Sequence, residues 1–277
     1  MNLSELWSYD FMRYALASAL LLGPACALLG VFVTLRGLAF FSDALAHSAF
    51  TGVALAFLIQ ERTGWSVDPM VTVFVFSLVL AGGMAWLMQR TALGADSVIA
   101  VAFTGSVAAG AILITMLGRY RMIDGLLFGS IYANGPEELA RQAGLALLVG
   151  GLILSQMRRL ALATLSPELA QAQGIPTGWG NVLLVLLIAA TVVVSLKMLG
   201  ALLLSALIVI PASAARMACR SFRAMLGLAL LGGVLAPASG VVASAGLDLP
   251  TGPCIVLANI LFLVLCGLWK MGRVGLA

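Results

Sequence analysis

Residues 38–59 read LAFFSDALAHSAFTGVALAFLI. Wound as an α-helix, this run is roughly 33 Å long, enough to cross the roughly 30 Å hydrocarbon core of a bilayer. Only Asp43 and His47 interrupt its apolar character, and His47 is the sole histidine in the chain. Four residues apart in a helix, the two side chains stack on one face. A carboxylate and an imidazole are the oxygen and nitrogen donors that divalent transition metals take, and holding them in hydrocarbon for no purpose costs several kcal/mol. The pair is therefore the leading candidate for a functional site. Counting seven residues from Arg36 puts Asp43 roughly 10 Å below the inner surface, a depth that suits a transit site.

The rest of the chain supports the membrane reading. Of 277 residues, 62% are hydrophobic and 9% charged, and the mean hydropathy is +1.12, whereas a soluble domain carries about 25% charged residues. The expected fold is an all-α, polytopic helical membrane protein forming a single transmembrane domain over 1–277, with eight to nine transmembrane helices. Spans are predicted at 12–35, 38–59, 69–89, 97–117, 139–157, 181–197, 199–217, 224–246 and 252–270. The first opens with Arg13 and is too long for the apolar core of a signal peptide, so it reads as a retained span. The segment Arg119–Pro136, punctuated by Gly125, Gly129 and Gly135, reads as either a loop or a re-entrant turn. Small residues such as Ala39, Ala46, Gly52 and Ala54 suit a second span crowded by neighbours.

With the N-terminus outside, Arg36, Arg90, Arg158, Arg159, Arg216, Arg220, Arg223, Lys270 and Arg273 all fall on the inner side, as the positive-inside rule requires. The net charge of +4 is thus explained by orientation, and because these residues are scattered at span ends they point to no nucleic-acid partner. Cys26, Cys219, Cys254 and Cys266 form no Cys-x-x-Cys pair and read as small apolar packing groups.

Between the fifth and sixth spans, Ser166-Pro167-Glu168-Leu169-Ala170-Gln171-Ala172-Gln173-Gly174-Ile175-Pro176 carries the full grammar of a short helix. Ser166 serves as a cap, Pro167 fits the first position, Glu168 complements the helix dipole, and Gly174 with Pro176 stops it. On the inner side such a helix either docks on a soluble partner or lies at the headgroups. Elsewhere, Asp124 reads as a turn cap or a receiver of metal, and Asp248 before Pro250 as a turn residue or part of the outer mouth. Lys197 is read as snorkelling to the outer interface, Met84, Met88 and Met198 as packing, and Pro24 and Pro211 as kinks in the first and seventh spans.

Taken in order, Gly30-Val31-Phe32-Val33, Leu35-Arg36, Ala39-Phe40-Phe41-Ser42-Asp43-Ala44-Leu45-Ala46-His47-Ser48, Leu126-Leu127-Phe128-Gly129, Ser166-Pro167-Glu168-Leu169-Ala170, Gly200-Ala201-Leu202-Leu203-Leu204, Ile210-Pro211-Ala212 and Leu249-Pro250-Thr251-Gly252-Pro253 resemble the permease subunits of zinc and manganese ABC importers. The resemblance spans residues 15–265. It implies a type II ABC importer-like permease in the bacterial cytoplasmic (inner) membrane, working as a dimer with a second permease copy, two cytoplasmic ATP-binding subunits and an extracytoplasmic metal-binding protein. It implies further that 164–180 contains the coupling segment engaging the ATPase through Ser166, Pro167, Glu168, Leu169, Ala170, Gln171 and Gly174. Asp43 and His47 would belong to the intramembrane metal path, where a two-fold axis would gather up to four ligands. The cargo would be Zn²⁺ or Mn²⁺, with no permanently bound cofactor. One departure stands out: many zinc-type members carry a second histidine in the fourth span, where this chain has Ala102-Phe103-Thr104-Gly105-Ser106-Val107.

No Gly-Lys dipeptide occurs, so a Walker A loop is absent and ATP hydrolysis is expected in a separate subunit rather than in this chain. Three other classes remain: an ion-coupled secondary carrier using Asp43 and His47 as a proton relay, an intramembrane enzyme, for which His-Glu-x-x-His is lacking, and an uncoupled pore.

Overall fold

A computed structural model describes residues 10–118 and 135–274. The described chain is a bundle of α-helices: α1 (Asp10–Leu35), α2 (Ala39–Thr63), α3 (Pro69–Arg90), α4 (Ala95–Met116), α5 (Pro136–Ser155), α6 (Met157–Leu165), α7 (Pro167–Ala172), α8 (Thr177–Ala218), α9 (Phe222–Leu247) and α10 (Thr251–Val274). Seven of them, α1 to α5, α9 and α10, are long and apolar enough to cross a membrane. The chain is a multi-pass, all-helical membrane protein. Asp124, Gly125, Gly129 and Leu126-Leu127-Phe128 lie outside the described residues, as does the side chain of Lys197.

The expected sixth and seventh spans are the two arms of α8. At 42 residues a straight helix would reach about 63 Å. Yet Asn181 near its start touches Arg36, and Arg216 near its end donates to the Thr34 carbonyl at 2.7 Å, so both ends meet the last turn of α1. The chain therefore reverses inside α8, at Gly200, whose φ of 68° and ψ of 167° form a combination essentially reserved for glycine. The nine expected crossings are thus accounted for as seven long helices and two arms. Pro24 and Pro211 sit inside continuous helical backbone, and the break between the expected sixth and seventh spans, placed at 197–199 by the sequence, falls at Gly200. Proline has φ fixed near −65° and cannot adopt the positive φ this reversal needs.

Close backbone approach holds the bundle together. A Cβ on Gly30 would lie 1.8 Å from the Ile208 carbonyl oxygen on the second arm of α8, and one on Gly23 would lie 2.0 Å from that of Gly233 on α9. On the other side, a Cβ on Gly52 would come within 2.7 Å of Val73 Cα on α3, and one on Gly110 of α4 within 2.8 Å of Thr51 Oγ1. Lipid offers no hydrophobic drive for helices to associate, so such contacts supply the van der Waals energy instead. As expected for a crowded second span, Ala46 and Ala54 are fully buried.

The turns follow the local sequence. Asp68 accepts from Met70 N at 2.9 Å with Pro69 in the first turn of α3, and α1 ends with Leu38 N bonded to Val33 O and Gly37 N to Thr34 O, the paired bonds of a Schellman motif. Asp248 takes a left-handed conformation between α9 and α10. Ser244 bonds Leu249 O and Thr251 beside it, so the turn reading of Asp248 holds. Cys26 and Cys266 are buried, Cys219 and Cys254 half-buried, and all four are free thiols.

Candidate metal-translocation site

α2 lies at the centre of the bundle, packed against α3, α4 and α8. Its first turn starts at Ala39 after the Arg36–Leu38 turn, which puts Asp43 about 6 Å along the helix axis from that start. The i,i+4 spacing does bring the two groups together: His47 Nε2 lies 3.5 Å from Asp43 Oδ1. The His47 side chain is 12% exposed and that of Asp43 32%, so each keeps an open edge while the helix around them is buried.

Three further residues shape the pair. The Ser205 side chain, on the second arm of α8 and five residues beyond the Gly200 reversal, hydrogen-bonds the Asp43 carboxylate. Phe50 stacks on the imidazole with ring centroids 6.0 Å apart and planes at 21°. Phe103 of α4 meets it edge-on at 5.2 Å and 85°. The fourth-span stretch that departs from the zinc-type pattern therefore does reach the site, and it brings an aromatic edge there rather than a nitrogen donor. Thr51, two turns beyond Asp43, hydrogen-bonds the Ser106 carbonyl and ties α2 to α4 one turn past Phe103.

Chemically, one chain presents a carboxylate, an imidazole and a hydroxyl, all hard or borderline donors for a divalent metal. Among the described residues no group of three or more His, Cys, Asp or Glu side chains converges. A single copy thus brings together one carboxylate and one imidazole.

Near the end where Arg36, Thr34 and Arg216 meet, α6 and α7 form the segment expected to dock. Pro167 opens α7, and the helix closes with Ile175 N bonded to Ala170 O and Gly174 N to Gln171 O, Gly174 taking φ +71°. Ser166, expected to cap, makes no side-chain capping bond; its φ of −146° and ψ of 75° instead join α6 directly to α7. Ala170 is fully buried as the anchor, whereas Glu168, Leu169 and Gln171 are exposed, with Leu169 at 51%. At the other end of the bundle a cavity of about 350 Å³ is lined by Asp68, Glu138, Arg141 and Val193, with Arg141 paired to Glu138 at 2.7 Å.

Sequence reasoning anticipates that Asp43 and His47 meet, and it misses Ser205 and Phe103 as their neighbours. A lone hydroxyl in the apolar run Leu203–Ile210 is the available signal for Ser205.

Comparison with known proteins places this architecture. Residues 8–270 match the ABC 3 transport family. The chain is 32% identical to the high-affinity zinc uptake system membrane protein ZnuB of Haemophilus influenzae, over 96% of this chain and 99% of that one. It is also 32% identical to the chelated iron transport system membrane protein YfeD of Yersinia pestis, over 95% and 86%, and to the manganese transport system membrane protein MntC of Halalkalibacterium halodurans, over 93% and 87%. Its fold superposes on PsaBC from Streptococcus pneumoniae, solved in complex with a Fab, with a TM-score of 0.83 at 25% identity, covering 95% of this chain and 93% of that one. The chain is a member of the ABC 3 transport family, a permease of metal ABC importers.

Proposed function

We propose that this permease carries a divalent transition metal, zinc or manganese, across the bacterial cytoplasmic membrane through the site at Asp43 and His47. The observation that carries the reading is the pair itself: a carboxylate and the only imidazole of the chain, 3.5 Å apart within a buried helix, each with an open edge. Two copies related by a two-fold axis bring the ligand number to four, and Ser205 orients each carboxylate. Two ATPase subunits bind Ser166, Pro167, Glu168, Leu169, Gln171 and Gly174, a face held rigid by buried Ala170, and an extracytoplasmic protein delivers the ion. ATP hydrolysis belongs to those subunits, and the metal is cargo rather than a resident cofactor.

Which metal is favoured turns on local donors, because relatives named for zinc, iron and manganese all stand at the same 32% identity. The aromatic edge of Phe103 in place of a further nitrogen leaves an oxygen-rich site, which accommodates manganese, yet the Irving–Williams order keeps zinc at least as tight. Vesicles holding the permease, its ATPase and the binding protein, offered radiolabelled zinc and manganese in turn, test the proposal. Uptake is expected to require ATP and to persist with an uncoupler. Uptake that survives ATP depletion and collapses with the uncoupler would establish the ion-coupled carrier instead.

A further inference from the structure

We infer that Arg36 is the strut that transmits movement of the α6–α7 segment to the helix bearing Asp43 and His47. It is a positioning residue, acting through the turn that leads into α2. The inference rests on the proposed docking of the ATPase at that segment.

The guanidinium reaches across the bundle to two places far away in sequence. Its Nε donates to Thr164 Oγ1 at 3.0 Å, two residues before Ser166, and its Nη1 donates to Asn181 Oδ1 on the first arm of α8. Thr164 is itself fixed, since its hydroxyl donates to the Leu160 carbonyl at 2.7 Å. Gly180 lets the side chain through: a Cβ there would stand 3.1 Å from Arg36 Nη2. One side chain thus grips both boundaries of the segment 164–180.

At its other end Arg36 has little freedom. Its backbone N–H bonds to Phe32 O at 3.1 Å, and Leu38 N bonds back to Val33 O at 2.9 Å, so the turn is part of the α1 terminus. Phe41 N then bonds to Leu38 O at 3.0 Å, which starts α2 two residues ahead of Asp43. A pull on the guanidinium is therefore passed to the first turn of the metal-site helix through hydrogen-bonded backbone, with no loop to absorb it.

There is also room for the strut to work. Arg36, Thr164 and Asn181 line a cavity of about 430 Å³ that extends to Phe41 of α2, Met88 of α3 and Pro167 of α7. Because its wall includes α7 beside the locked pair α2 and α3, the α6–α7 segment can shift relative to those two helices without an immediate steric clash. Rigid attachment beside empty volume is what a transmitting element needs, since close-packed interiors resist gradual deformation.

The test uses the complete complex of permease, ATPase and binding protein in vesicles, with three readouts: ATPase retained, ATP hydrolysed, and radiolabelled zinc or manganese moved per ATP. For Arg36→Met and, separately, Thr164→Val, ATPase retention is unchanged and hydrolysis stays within about twofold, while metal moved per ATP falls about tenfold or more, the scale of losing a charge-assisted hydrogen bond. Thr164→Ser, which keeps the hydroxyl, restores the ratio. The double variant is no worse than Arg36→Met alone, because both changes cut one linkage. A metal-to-ATP ratio that stays at the wild-type value in Thr164→Val overturns the inference. So does a parallel fall of hydrolysis and transport in that variant, which is what a merely structural role produces. If Arg36→Met does not assemble, the Thr164→Val and Thr164→Ser pair decides alone. Failure of the docking reading is seen separately, as ATPase retention that survives a charge placed at Leu169.

Discussion

Replacing Asp43 with asparagine is the sharpest perturbation of the proposed site, because it removes charge while keeping shape. The Asp43→Asn side chain still accepts a hydrogen bond from Ser205, so packing among α2, α4 and α8 is retained. What disappears is a negative charge facing the ion. At about 4 Å and an effective dielectric near 20, a unit charge pair is worth about 4 kcal/mol. A metal ligand lies closer and the ion is doubly charged, so we take about 4 kcal/mol as the net loss per carboxylate after the ion's own dehydration. At about 1.4 kcal/mol per decade, that is roughly a thousandfold in occupancy, compounded if both copies contribute to one ion. Initial uptake rates of radiolabelled zinc and manganese, measured over a wide concentration range in vesicles, should show KM raised by at least about three decades for Asp43→Asn. Thermal unfolding and ATPase retention serve as controls and stay at wild-type values. Uptake by Asp43→Asn with an unaltered KM would refute the assignment, since no rearrangement of neutral donors replaces that charge.

Two other substitutions probe different parts of the molecule. Gly30→Ala would place a methyl 1.8 Å from the Ile208 carbonyl oxygen, a clash that no rotamer relieves, so α1 and the second arm of α8 must separate at a cost of about 3 kcal/mol. A clearly lowered unfolding temperature in detergent checks this, with Gly150→Ala, where nothing lies within 4 Å, as the harmless control. Leu169→Glu alters an exposed apolar side chain on the docking face and should weaken ATPase retention by about tenfold or more, measured by co-purification, while leaving the permease folded.

Much of this architecture is legible in the sequence, and the part that is not has a physical reason. Hydropathy marks nine crossings because each apolar run must satisfy its own backbone hydrogen bonds in lipid. Asp43 and His47 are legible as a pair because a helix fixes where residues four apart point. Pro167 and Gly174 announce the ends of a short helix through local backbone chemistry alone. The neighbours that tertiary packing supplies are invisible in the sequence: Ser205 and Phe103 approach the pair from other helices, and Arg36 finds Thr164 at a separation of 128 residues. The reversal in α8 is legible to within a few residues, since two apolar runs meet at 197–199, although nothing in the hydropathy singles out Gly200 as the residue that turns. Ser166 reads as a cap because the grammar of helix starts assumes a loop ahead of the helix, whereas α6 runs straight into α7.

The close glycine contacts divide the bundle into two welded blocks. Gly30 and Gly23 lock α1 to the second arm of α8 and to α9, while Gly52 and Gly110 lock α2 to α3 and α4. Close packing makes each block resist deformation within itself, so relative movement is easier between the blocks than inside them. The bond from Ser205 to Asp43 spans that boundary. The carboxylate proposed to hold the ion is therefore where a displacement of one block past the other is first felt, and on that proposal the same slip that opens a route loosens the hold.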